Sequence, residues 1–211
     1  LLGDEKINVG KVMIDGKENA VINKLVPGIV DGLFKPNIYG LVPCNNRNPK
    51  LDNTNTSETD PGDKDFRKSY VKGEDVLDAN IKDNGDGTIT MVIQPKAAEM
   101  SMRGEDSQGD FFEVLGDISA TVAQIDVISF AQGKAEDNIK VTYKGGTVTC
   151  TINTKTKEIT KAEYDMVAEV AVNHANVAVI KDKSASLLIK YKNTFPASDE
   201  ATMKARQFKR K

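Results

Sequence analysis

The chain has 211 residues, 39% of them hydrophobic and 28% charged, with a formal net charge of −2. That is enough chain for a sizeable core, and too little net charge for a global field that favours nucleic acid or an anionic membrane. No apolar run approaches the roughly 20 residues that a membrane-spanning helix needs, and "LLGDEKINVGK" lacks the apolar centre of a secretory signal.

Residues 1–15 are short on pattern. From Lys17, "KENAVINKLVPGIVDGLF" spaces Val21, Leu25, Ile29 and Leu33 four apart, which predicts a helical segment over 17–34. Pro27 and Gly28 interrupt it, since proline costs about 3 kcal/mol inside a helix. Residues 35–70 are dominated by Asn, Asp, Pro, Thr and Ser and predict a long irregular loop.

From Asp75 the period falls to two. Leu77, Ala79 and Ile81 alternate with polar residues, and after "DNGDGT" so do Ile89, Met91 and Ile93. This predicts a hairpin with Ile81 opposite Ile89, a loop at Asn84 to Asp86, and Gly87 at a bulge. Over 108–124, Phe111, Leu115, Ile118 and Val122 return to helical spacing. Asp110 or Asp117 is the expected cap, and Gly116 divides the insertion into two short helices. "IDVISFA" is extended again.

In "NIKVTYKGGTVTCTINT" the pair Gly145-Gly146 suits a two-residue turn. A hairpin there pairs Tyr143 with Val148, Val141 with Cys150 and Ile139 with Ile152 on one face. Lys140, Thr142, Thr147, Thr149, Thr151 and Asn153 take the other face, so Cys150 is expected to point at a core. After the turn "NTKTKE", Ala162, Tyr164, Met166, Ala168, Val170 and Val172 share one side; Glu163, Asp165 and Glu169 share the other. Counted from Ile159, this run of about 14 residues spans ~45 Å. "NHAN" is expected to hold a bulge or turn. "KDKS" then links to a last strand through Ala185, Leu187, Ile189 and Tyr191.

The expected architecture is a single α+β domain over 1–211. Its main body, 75–195, is a strongly curved antiparallel β-sheet, half-barrel-like, with helices packed on its concave apolar face. Such a hollow can also hold an apolar ligand.

The candidate chemistry is thin. His174 is the single histidine and the sole imidazole base for a serine triad or cysteine dyad. No G-x-S-x-G elbow accompanies it, and its strand setting points to a structural residue bonded to backbone or water. Cys44 and Cys150 can close one disulfide over a long loop, or Cys150 is a small buried hydrophobe and Cys44 a free thiol; spacing alone does not bring the two side chains together. "DNGDGT", Asp83 to Thr88, lacks the alternating ligands and terminal Glu of a calcium loop. Asp60, Asp63 and Asp65, with Asp52 nearby, form an acidic loop that reads as solvated before it reads as a cation site. Glu163, Asp165 and Glu169 alternate on one strand face, and neighbours at i and i+2 lie ~6.5 Å apart, within the range of a hydrolase carboxylate pair. The plainer reading is the polar outside of a sheet. Lys204, Arg206, Lys209, Arg210 and Lys211 make a basic tail that reads as solvated before it reads as a site for anionic polymer or lipid headgroups. "GDGT" and "YKGG" do not sit between a strand and a helix start, so neither cradles phosphate.

The stretch "EDNIKVTYKGGTVTCTINTKTKEITKAEYDM", continued by "VNHANVAVIKDKSASLLIKY", resembles uncharacterised secreted or surface-anchored proteins of Gram-positive gut bacteria. The likeness covers about the last 130 residues and rests on hairpin texture. It implies an extracellular or cell-surface location, with the signal segment not part of this chain. The layout is also similar to the lipoprotein-carrier fold, in which a curved antiparallel sheet wraps helices. The resulting expectation is a non-catalytic extracytoplasmic binding or interaction protein for an apolar small molecule or cell-envelope component. No nucleic-acid partner, transmembrane segment, metal or cofactor is expected. A carboxylate-dependent hydrolase and a purely structural or adhesive surface domain are the alternatives.

Overall fold

Apolar and polar side chains alternate over most of residues 139–195, and that stretch folds as strands that bury one face. The computed structural model describes residues 4–24, 71–102, 105–112, 114–116, 118–123, 128–177 and 179–196. Its strands are β1 (Asp4–Val9), β2 (Met13–Ile14), β3 (Lys17–Glu18), β4 (Val76–Asp83), β5 (Thr88–Pro95), β6 (Ala98–Glu99), β7 (Ile128–Phe130), β8 (Ile139–Asn153), β9 (Ile159–Val177) and β10 (Ile180–Phe195). Its helices are α1 (described over 20–24), α2 (Ser107–Phe111), α3 (Ser119–Ala123) and α4 (Ala135–Asn138). No helix among the described residues is long and apolar enough to cross a membrane.

All ten strands join one antiparallel sheet, ordered β3-β2-β10-β9-β8-β5-β4, with β1 on β10, β6 on β8 and β7 on β9. Among the described residues the sheet does not close: β3 and β4 end it. Residues 1–15, where the sequence shows little pattern, supply β1 and β2. β1 runs beside β10, with Ile7 opposite Tyr191 and Val9 opposite Ile189.

The core lies on one face of β8, β9 and β10. Val141, Tyr143, Val148 and Cys150 from β8 meet Ala162, Tyr164, Met166, Ala168 and Val170 from β9, then Ile189, Tyr191 and Phe195 from β10. All but Phe195 are residues that the two-residue period assigns to one side. Phe111, Phe112 and Val114 pack against them from α2 and the segment that follows it. Phe112 meets Tyr164 edge-on at 6.5 Å, and Tyr164 meets Phe195 edge-on at 5.8 Å, the geometry that the ring quadrupole favours.

Gly145-Gly146 is not a hairpin turn. β8 runs straight through it as one strand of 15 residues. Between the pairs Tyr143–Ala168 and Gly146–Met166, β8 spends two residues where β9 spends one. This is a β-bulge, with Gly145 at φ +88°. The buried set moves from odd to even numbers across it, so all six residues assigned to the core face do face the core side, though not by pairing with each other.

The β4–β5 hairpin differs by a shift of register. Ile81 lies opposite Met91, not Ile89, and Asp83 faces Ile89. Asn84 donates its N–H to the Thr88 carbonyl at 3.1 Å, which leaves Gly85 to Gly87 as the loop. The three-residue length is as expected, and the shift by two keeps the side chains from Asp78 to Asp83 on their expected faces; at Leu77 a bulge intervenes, and Val76 takes the place opposite Pro95.

"NHAN" and "KDKS" are also strand. β9 continues through His174 for 19 residues, about 60 Å. β10 begins at Ile180, so the reversal falls between Val177 and Ile180. Two register irregularities there absorb His174 and Asp182, both at φ +49°.

The helical insertion is two short helices flanking Gly116. The cap of α2 is Asp106, not Asp110: its carboxylate accepts from the N–H groups of Gln108 and Gly109. Asp110 sits inside the helix instead. Asp117 lies outside the described residues, as do Leu25, Ile29, Leu33 and the 35–70 segment.

Candidate functional site

Candidate chemistry gathers at three places: the carboxylates of β9, the single histidine, and the open end of the apolar face.

Glu163, Asp165 and Glu169 do share the polar face of β9, as period two requires. Lysines that sequence spacing does not connect to them meet them across strands. Lys192 of β10 lies 2.5 Å from a Glu163 oxygen and 3.7 Å from Asp165. Lys144, in the β8 bulge, lies 2.6 Å from Glu169. The hydrogen bond from Lys192 holds the Glu163 carboxyl below its ordinary pKa. Partial burial, then the neighbouring Glu163, push Asp165 the other way. Opposite displacement of adjacent acids is one mark of an acid–base pair. Against that, both side chains are more than two-fifths exposed on a sheet face of threonines and lysines. Exposed cross-strand charge pairs of this kind are ordinary sheet stabilisers.

His174 has a side-chain partner that its strand setting does not predict. Its Nδ1 sits 2.8 Å from the Asp182 carboxylate across the β9–β10 hairpin, with both side chains substantially exposed. The positive φ of both residues turns them out of the regular pleat toward each other. Ser129 is close in the fold, but it receives a hydrogen bond from Asn176. Among the described residues no serine hydroxyl or thiol is bonded to the imidazole, so the nucleophile of a triad is missing here.

The "DNGDGT" carboxylates fold the turn. Asp83 accepts from the Gly85 N–H, and Asp86 accepts from both the N–H and the hydroxyl of Thr88, which hold its pKa below the ordinary value. No cluster of three metal-ligating side chains exists among the described residues. Cys150 carries a free thiol, buried in the core, and burial pushes its pKa up. Cys44, Asp52, Asp60, Asp63, Asp65 and the basic tail Lys204, Arg206, Lys209, Arg210 and Lys211 lie outside the described residues.

The third place is the open end of the apolar face. One row of side chains crosses the sheet on its apolar face: Phe195, Ala162, Cys150, Met91, Ile81. The row is sealed at Phe195, Ala162 and Cys150, half-buried at Met91, and open at Ile81, which is 63% exposed. Leu77 on the same strand is 68% exposed. Ile89, Met91 and Ile93 of β5 are half-buried beside them. The sequence assigns the face correctly. It does not show how far cover extends across that face.

No protein-family model matches the chain, and neither a curated protein nor a solved structure does.

Proposed function

We propose that the protein is a non-catalytic binding or interaction module whose working surface is the open apolar end of its sheet. The observation behind the reading is the exposure of Ile81 at the edge of a face that is otherwise core, with Leu77 exposed on the same strand. Burying each of them would return roughly 1–2 kcal/mol, a standing reward for a partner that covers them. The lining is aliphatic and thioether, without a converging set of donors, so it suits an apolar or lipid-like molecule or the apolar part of an envelope component. Long strands twist and coil; a strongly curved, half-barrel form of the sheet would deepen this face into a trough. The hairpin texture of the C-terminal part supports a place at the cell surface of a Gram-positive bacterium.

Titration with a fluorescent long-chain fatty acid tests the reading. Saturable binding is expected, weakened at least tenfold by Leu77→Lys with Ile81→Lys. Absence of saturable binding, or binding indifferent to both changes, overturns it.

A carboxylate-dependent hydrolase is the second reading, favoured by the opposite displacement of Glu163 and Asp165. It requires an activity on glycosides or esters that Asp165→Asn abolishes while the fold is kept.

A further inference from the structure

We propose that the β4 edge pairs, antiparallel, with the β4 edge of a second copy of this chain, with the two-fold axis at Asn80. β4 has eight residues and pairs only with β5 among the described residues. An edge of that length displays a row of backbone donors and acceptors ready to template another strand. Which residues display them follows from the hairpin. Asn84 bonds the Thr88 carbonyl, so in an alternating antiparallel ladder Lys82, Asn80 and Asp78 turn their backbone groups toward β5. Asp83, Ile81 and Ala79 turn theirs outward. The Ala79 N–H confirms this independently: it is taken by the Asp78 carboxylate at 2.9 Å, not by a strand.

Pairing of two outward rows needs odd residues opposite odd residues. With the axis at Asn80, Ala79 stands opposite Ile81 of the other copy, twice, and these four residues exchange ladder bonds. On the polar face, Asp78 stands opposite Lys82, again twice. The strand "VLDANIKD" is thus complementary to itself in charge and in shape. Asp78 releases the Ala79 N–H, which the second copy then takes. Ile81 of both copies comes together on the apolar side, beside Ala79 of the other copy, so two exposed apolar positions join into one patch. A single ladder is a small contact beside the roughly 1,200 Å² at which stable interfaces begin, so the dimer is reversible. This inference does not rest on ligand binding and is measured on ligand-free protein.

Sedimentation of the full chain over rising concentration tests it. A concentration-dependent dimer is expected. Asp78→Lys sets like charges opposite each other twice, and so does Lys82→Asp; each change should weaken the dimer about tenfold or more. The double variant, Asp78→Lys with Lys82→Asp, restores opposite charges and should restore the dimer. Both positions are on an exposed strand, and circular dichroism of each variant checks that the fold is kept. A monomer at every concentration overturns the proposal. So does a dimer indifferent to the single changes, as face-to-face apolar contact or another register would give, or a double variant that stays monomeric.

Discussion

At Gly146 the backbone of β8 passes so close to β9 that a Cβ would collide with the Asp165 carbonyl oxygen and stand 2.8 Å from Phe112 Cζ. The missing side chain is therefore the seat of an aromatic ring. Phe112 lies over it and continues edge-on into Tyr164 and Phe195. Gly146→Ala must displace either the β9 backbone or that ring. Neither is the free end of a flexible side chain, so the loss should reach about 1–3 kcal/mol, read from the midpoint of urea unfolding. A variant as stable as the parent would mean that Phe112 has another place to go. Tyr143 works in the same neighbourhood in the opposite way. Fully buried, it fills the core with its ring and accepts the Leu115 N–H on its hydroxyl at 2.8 Å. Burial pushes its phenol far above the ordinary pKa, so it remains a neutral hydrogen-bond partner.

At the scale of elements, β8 shows where sequence reading stops. A two-residue turn and a two-for-one bulge leave the same trace: each moves the buried set from odd to even positions. Face assignment is legible in either case, and Val141, Tyr143, Val148 and Cys150 are all on the core face. Topology is not, because it depends on what lies alongside. Here a single β9 offers Val170 and Ala168 to the first half of β8, and Tyr164 and Ala162 to the second. The same limit governs the candidate sites. The carboxylates of β9 are legible as one face, whereas Lys192 and Lys144 reach them only once the register is known. Ile81 and Leu77 are legible as apolar, whereas their exposure depends on cover from elsewhere in the chain. Helix caps fall between these cases. Asp106 precedes "SQGDF" at the ordinary capping position, and Asp110 competes for the role because the apolar spacing starts at Phe111. The Asp106 carboxylate accepts from the N–H groups of Gln108 and Gly109, from the Ser101 hydroxyl at 2.5 Å and from the Met102 N–H at 3.3 Å. Asp106→Ala should therefore cost about 1–2 kcal/mol, measured by thermal unfolding, with Asp110→Ala leaving the start of α2 intact. Loss of α2 in the second variant alone would reverse the assignment.

Across the whole molecule, stability is graded along the sheet rather than shared evenly. β8, β9 and β10 sit in the middle of the strand order, carry the sealed core, and pair on both edges over most of their length. β4 sits at the end, with seven of its eight residues exposed and its outward groups unpaired by any strand among the described residues. Local opening draws on regions with few buried contacts and solvent-facing hydrogen bonds. Amide exchange in dilute protein should follow that gradient. Val141, Tyr143, Met166, Ala168 and Ile189 should exchange only through global unfolding, with their rates falling together as stability is raised. Ile81 should exchange as an open edge amide. Ala79, tied to the Asp78 carboxylate, should be slower, and Asp78→Ala should bring it to the rate of Ile81. If β4 is as protected as β9 at all concentrations, some other part of the chain covers the edge, and neither an open apolar end nor a self-pairing strand survives. If protection of Ile81 instead rises with protein concentration while that of Met166 stays fixed, the second copy is arriving at β4, and the gradient itself is what leaves that strand free to receive it.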